Sequence, residues 1–149
     1  MGIQRVAVVG ASGYGGLQTL RLLNAHTGFD ITYLGGERSA GRCWSEICPF
    51  LPLGEDLTVD SPDPDRIAAA ADVAVLSLPN GLASQLVPPL LDQGVRVVDL
   101  SADYRYRSLD HWASVYVHEA RTHQRTDADL CKEAVYGLPE WHGPEIATS

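Results

Sequence analysis

Four short apolar segments, residues 3–9, 29–34, 72–78 and 95–100, are separated by stretches with helical character. The segments are mostly continuous runs of Val, Ile, Leu and Ala rather than strict alternations with polar residues. Strands of that kind are buried on both faces, and their alternation with helices defines a parallel sheet covered on each side. Leu17, Leu20 and Leu23 place one apolar face on a helix over 17–25. Pro62 and Pro64 precede a short helix over 65–70. A third helix spans 82–92, kinked or restarted at Pro88-Pro89 and capped by Gly94. Residues 36–62 predict an excursion with a short strand near Leu57-Thr58-Val59. Residues 101–149 are polar and aromatic, and predict an irregular C-terminal region with a helix only over 127–133.

Composition narrows the partners. The 149 residues suit about one domain, and 45% of them are hydrophobic, enough for a buried core. Nineteen acidic against eleven basic residues leave a net charge of -8. That balance argues against nucleic acid and against an anionic membrane surface, since both need a basic face. No apolar run approaches the roughly 18 residues that span a bilayer, and residues 1–5 lead directly into a strand without a secretory signal. Cys43, Cys48 and Cys131 are odd in number and lack a C-x-x-C spacing, so they read as structural thiols in a reducing cytoplasm. His118 and His123 flank Glu119 but are five apart, not the four of a helical zinc pair, so no metal site is expected. Trp44, Trp112 and Trp141 suit core packing or a domain interface.

The first strand runs straight into Gly10-Ala11-Ser12-Gly13-Tyr14-Gly15-Gly16, which opens a helix. Glycines at 10, 13 and 16 permit a tight turn and close backbone approach. The helix start offers free N–H groups to an anion, and the Ser12 hydroxyl adds a donor. In a Rossmann-like, doubly wound fold this turn holds a dinucleotide pyrophosphate. The second strand ends in Gly35-Gly36-Glu37-Arg38-Ser39. Glu37 alone would take the ribose hydroxyls of NAD. Arg38 and Ser39 offer a cation and a hydroxyl to the 2′-phosphate of NADP, which is the preferred reading, unless Arg38 and Glu37 simply form a solvated pair. Asn80-Gly81 is either part of the ligand crevice or a plain turn and helix cap. Ser101 lies on the same sheet edge, as a site residue or a helix N-cap.

Five strings resemble one family in its order: Gly10 to Gly16, Tyr33-Leu-Gly-Gly-Glu-Arg-Ser-Ala-Gly41, Leu78-Pro-Asn-Gly81, Asp99-Leu-Ser-Ala-Asp-Tyr-Arg105 and Tyr136-Gly-Leu-Pro-Glu140. The family is that of N-acetyl-gamma-glutamyl-phosphate reductase. The resemblance implies reduction of an acyl phosphate to an aldehyde with NADPH, in arginine biosynthesis, through a cysteine thioester with histidine as acid/base. It implies that Gly10, Ser12, Gly13, Tyr14, Gly15 and Gly16 hold the pyrophosphate, and Arg38 and Ser39 the 2′-phosphate. Leu78, Pro79 and Gly81 would line the crevice. Ser101 and Arg105 would lie near nicotinamide and substrate phosphate, unless Arg105 pairs with Asp103 or Asp110. The family's nucleophile follows the Tyr-Gly-Leu-Pro-Glu string in a Pro-Gly-Cys-type turn, which the residues to Ser149 do not include. The chain is therefore expected to be a cofactor-binding part, inactive alone and homo-oligomeric at full length. The alternatives are a non-catalytic nucleotide module, a reductase of a carrier-bound lysine precursor, and aspartate-semialdehyde dehydrogenase.

Overall fold

The computed structural model describes residues 2–54, 56–116 and 125–149. His118, Glu119 and His123 lie outside them. Five parallel strands form one sheet in the order β3-β2-β1-β4-β5. They are β1 (Gln4–Val9), β2 (Phe29–Gly35), β3 (Val59–Asp60), β4 (Val73–Leu76) and β5 (Arg96–Asp99). This is the doubly wound order, with its switch point between β1 and β4.

The central strand shows why the run is continuous. Val6 and Val8 face one side, with Leu20, Leu34, Trp44 and Val59. Ala7 and Val9 face the other, with Ile67, Leu76, Val87 and Leu90. Helix α1 (Tyr14–Asn24) and the short α2 (Trp44–Ile47) cover the first face, and α3 (Pro64–Ala70) and α4 (Ala83–Asp92) cover the second. Alternate side chains of one strand thus serve two cores, and neither set can be polar.

The start of α3 is set locally. Asp63 accepts a hydrogen bond from the Arg66 N–H at 2.9 Å, and Pro64 occupies the first turn, where its missing N–H costs nothing. Asp63→Ala is expected to lower stability by about 1 kcal/mol, and Asp63→Ser to retain most of it, as read by thermal unfolding.

Several elements depart from the sequence reading. Helix α1 begins at Tyr14 rather than at residue 17. Helix α4 runs unbroken through Pro88 and Pro89, because Val87 and Leu90 on its core face are anchored in the second core. Gly94 closes it as expected, at φ +78°, with Gly94 N–H on the Leu91 carbonyl and Val95 N–H on that of Leu90. Strand β5 is not covered on both faces. Val98, and Leu100 just past its end, are half exposed. The C-terminal region is not merely irregular, for it holds α5 (Leu109–Tyr116), α6 (Ala128–Glu133) and α7 (Pro139–Ile146). Helix α5 buries a single side chain, Trp112, and α7 buries none and kinks at His142. Leu109, Trp112 and Tyr116 of α5 do stand at helical spacing, a signal the sequence reading passed over, whereas α7 carries no such stripe. Of the three tryptophans, Trp44 and Trp112 are buried and Trp141 is 80% exposed.

Candidate functional site

The carboxyl ends of β1 and β4 meet at the switch point, and the glycine turn is built against both neighbours. Gly10 and Ala11 N–H groups both donate to the Gly35 carbonyl of β2, at 2.8 and 3.1 Å. Gly10 has φ +85°, and a Cβ there would lie 2.0 Å from the Ser77 carbonyl oxygen. A Cβ on Gly16 would lie 2.1 Å from the Gly10 carbonyl oxygen, and one on Gly15 2.5 Å from Ser77 Oγ. The backbone itself therefore forms the floor of the crevice.

Helix α1 starts at this floor without a side-chain cap from Gly13, and its first turn holds no acidic residue. Its first N–H groups have no partner within the helix, and the dipole favours negative charge. The Tyr14 side chain is 98% exposed. A helix start left in this state fits a pyrophosphate.

The second-strand turn closes on the first. Ser39 is buried, and its hydroxyl donates to Ser12 Oγ at 3.1 Å. Arg38 precedes it in a 3-10 turn, Glu37–Ser39, and is exposed. Among the described residues Arg38 makes no ion pair, so the alternative of a pair with Glu37 is not realised. An unpaired arginine next in sequence to this hydroxyl pair suits a phosphate monoester.

On the other half of the sheet, the loops after β4 and β5 border an open cavity of about 430 Å³. Leu78, Pro79, Ser101 and Arg105 line it as the sequence suggested, together with Asn80 and Tyr116. Gly81 stands behind the wall at φ +86°, its N–H directed away to Asp103. Ser101 is not a helix cap. Its hydroxyl donates to Asp99 at 2.8 Å and accepts the Asp103 N–H. Burial pushes Asp99 above the usual carboxylate range, against the lowering effect of the Ser101 hydrogen bonds. Arg105 pairs with neither Asp103 nor Asp110; its Nη1 donates to the Tyr116 hydroxyl at 3.0 Å. Asn80 Oδ1 accepts the Ala102 N–H at 3.0 Å, across to the loop after β5. Tyr116 was missed by sequence reasoning, although Leu109, Trp112 and Tyr116 stand at a spacing that could have placed it on a helix. Asp103 was weighed only as an ion-pair partner, and its role as a distant helix cap has no local signature.

None of Cys43, Cys48 or Cys131 lines the cavity, and all three are unpaired. Cys48 and Cys131 are buried, and burial pushes the Cys131 thiol up, the opposite of an activated nucleophile. No described helix is long and apolar enough to cross a membrane.

Residues 5–149 match the family described as semialdehyde dehydrogenase, NAD binding domain. The chain is 70% identical over 145 residues to N-acetyl-gamma-glutamyl-phosphate reductase of Prochlorococcus marinus (strain MIT 9313), covering 97% of this chain and 41% of that protein. It is 70% identical over 143 residues to the protein of the same name from Parasynechococcus marenigrum (strain WH8102), covering 96% and 40%. The chain thus spans about 40% of the length of the curated relatives it matches. Among solved structures it is similar to aspartate semialdehyde dehydrogenase with NADP from Candida albicans, with TM-score 0.60 and 26% identity, over 69% of this chain and 31% of that one. It also shares the fold of aspartate semialdehyde dehydrogenase II from Vibrio cholerae, with TM-score 0.57 and 20% identity, over 78% and 40%.

Proposed function

The chain belongs to the semialdehyde dehydrogenase family as its NAD-binding domain, and from there we propose that residues 1–149 form one NADP-binding domain of a reductase acting on N-acetyl-gamma-glutamyl phosphate. The names of the relatives support the substrate. The observation that carries the cofactor is the Ser39–Ser12 hydroxyl contact at 3.1 Å, with the unpaired Arg38 next to Ser39 in sequence. It joins the pyrophosphate turn to the ribose turn in one anion-binding surface.

In this reading the uncapped start of α1 and the Ser12 hydroxyl hold the pyrophosphate, while Gly10, Gly13, Gly15 and Gly16 let the backbone approach it. Arg38 and Ser39 hold the 2′-phosphate. Leu78 and Pro79 wall the nicotinamide half of the crevice from water, and Gly81 and Ser101 shape its rim. When bound, the nicotinamide supplies hydride to the carbonyl carbon. Arg105, oriented by Tyr116, offers its planar fork to the substrate phosphoryl group. With no cysteine at the cavity, residues 1–149 bind the dinucleotide without completing the reduction. The full enzyme is a cytoplasmic homo-oligomer acting on a small molecule, a setting that three unpaired thiols suit.

Calorimetric titration of NADP⁺ and NAD⁺ into the chain tests the cofactor assignment. NADP⁺ is expected to bind more tightly, and Arg38→Ala to weaken it by about 10- to 100-fold, the worth of a charge-assisted hydrogen bond, while leaving NAD⁺ unchanged. Equal binding of the two, indifferent to Arg38→Ala, would overturn it.

A further inference from the structure

The two loops that border the cavity are tied to each other by side chains, each loop capping the other's backbone. The Asp103 carboxyl group, fully buried, accepts the Gly81 N–H at 2.6 Å and the Ser84 N–H at 3.1 Å. In return Asn80 Oδ1 accepts the Ala102 N–H at 3.0 Å. Asp103 is held from two further directions. Its N–H donates to Ser101 Oγ at 3.1 Å, and its carbonyl accepts from Arg125 Nη1 at 2.7 Å.

A buried carboxyl group is a costly way to cap a helix. A serine or aspartate at the N-cap of α4 would satisfy the same N–H groups locally, yet that position is Leu82, with no side-chain cap. The distant cap does something a local one cannot. It fixes the separation of the loop after β4 from the loop after β5, which is the width of the cavity.

We infer that Asp103 is a positioning residue that sets the nicotinamide half-site through this double latch from behind the cavity wall, with Asn80, which itself lines the cavity, as the returning arm. The inference rests on the dinucleotide reading above, in which the β1–β3 half takes the adenosine end and the β4–β5 half the nicotinamide end.

The test separates the two ends. NADP⁺ and adenosine 2′,5′-bisphosphate, which lacks the nicotinamide half, are titrated by calorimetry into the chain and its Asp103→Asn, Asn80→Ala and Arg38→Ala variants. Asp103→Asn and Asn80→Ala are each expected to weaken NADP⁺ by about tenfold, the loss of roughly one well-made hydrogen bond, and to leave the bisphosphate within about twofold. Arg38→Ala is expected to weaken both ligands. If the latch variants weaken both ligands alike, or neither, the latch is only structural and this inference fails, while the Arg38 response still upholds the dinucleotide reading. If the unaltered chain binds neither ligand, both fall. Asn80→Ala carries the test should Asp103→Asn fail to fold, because Asn80 is only partly buried.

Discussion

Gly10→Ala is expected to destabilise the chain by more than about 4 kcal/mol and to lower its melting temperature by about 10 °C or more. Two effects add. The left-handed backbone at φ +85° costs a side-chain-bearing residue about 1–2 kcal/mol. The larger part is steric, since the new Cβ would lie 2.0 Å from the Ser77 carbonyl oxygen. Ser77 cannot yield, because its N–H is bonded to the Val9 carbonyl at 2.8 Å, where β1 and β4 pair. Gly94→Ala isolates the first effect. Its φ is +78°, but nothing lies within 4 Å of the added Cβ, so it should cost only about 1 kcal/mol. Paired thermal melts of the two variants measure the difference. Similar losses would mean that the crevice floor relaxes and is not a rigid contact between β1 and β4.

Arg125→Ala is expected to cost about 3–5 kcal/mol, the usual consequence of leaving one partner of a buried ion pair alone. Arg125 and Asp127 side chains are 5% and 6% exposed, and their ion pair is 2.8 Å long. The guanidinium also lies over the Trp112 ring at 4.7 Å and the Tyr104 ring at 5.1 Å, and donates to the Asp103 carbonyl. It therefore fastens α5 and α6 to the loop after β5. The pH dependence has a definite sign. Burial raises Asp127, but the Arg125 hydrogen bonds and charge outweigh it, and its pKa lies below the usual value. In the native protein Asp127 thus contributes stability above about pH 4, and that contribution is lost as pH falls through its lowered pKa. In Arg125→Ala the hydrogen bonds and charge that chiefly oppose burial are gone and the pKa rises. The deficit is then largest at neutral pH and narrows on acidification, as the unpaired carboxylate takes up a proton. Denaturant unfolding at several pH values checks this. The double variant Arg125→Met, Asp127→Leu should recover part of the loss, since no charge is left buried alone, although the Asp103 carbonyl still lacks its donor.

The legible part of the fold followed from side-chain chemistry that acts within a few residues. Valines and alanines at 6–9 and 73–76 can only be covered on both faces, and that made a parallel sheet unavoidable. Gly10 and Gly16 announced the tight strand–helix turn because a Cβ at either would strike the backbone, at 2.0 and 2.1 Å. Arg38, Ser39, Leu78, Pro79, Ser101 and Arg105 were named from their strings, and the structure brings the last four together around one cavity. The helical nature of 139–146 was hidden, for a helix with no buried side chain leaves no stripe, while that of 109–116 could have been read from Leu109, Trp112 and Tyr116.

From the sequence alone came the doubly wound class, the glycine turn and the residues at each strand end, because these depend on burial period and backbone freedom. Only the tertiary structure decided what those residues do to one another. It turned Asp103 from a possible partner of Arg105 into the cap of a helix 19 residues earlier, and gave Arg105 to Tyr116 instead. It also joined Ser12 to Ser39 across 27 positions. Hydrogen bonds of that kind depend on where the sheet order carries each loop, and spacing along the chain does not encode it.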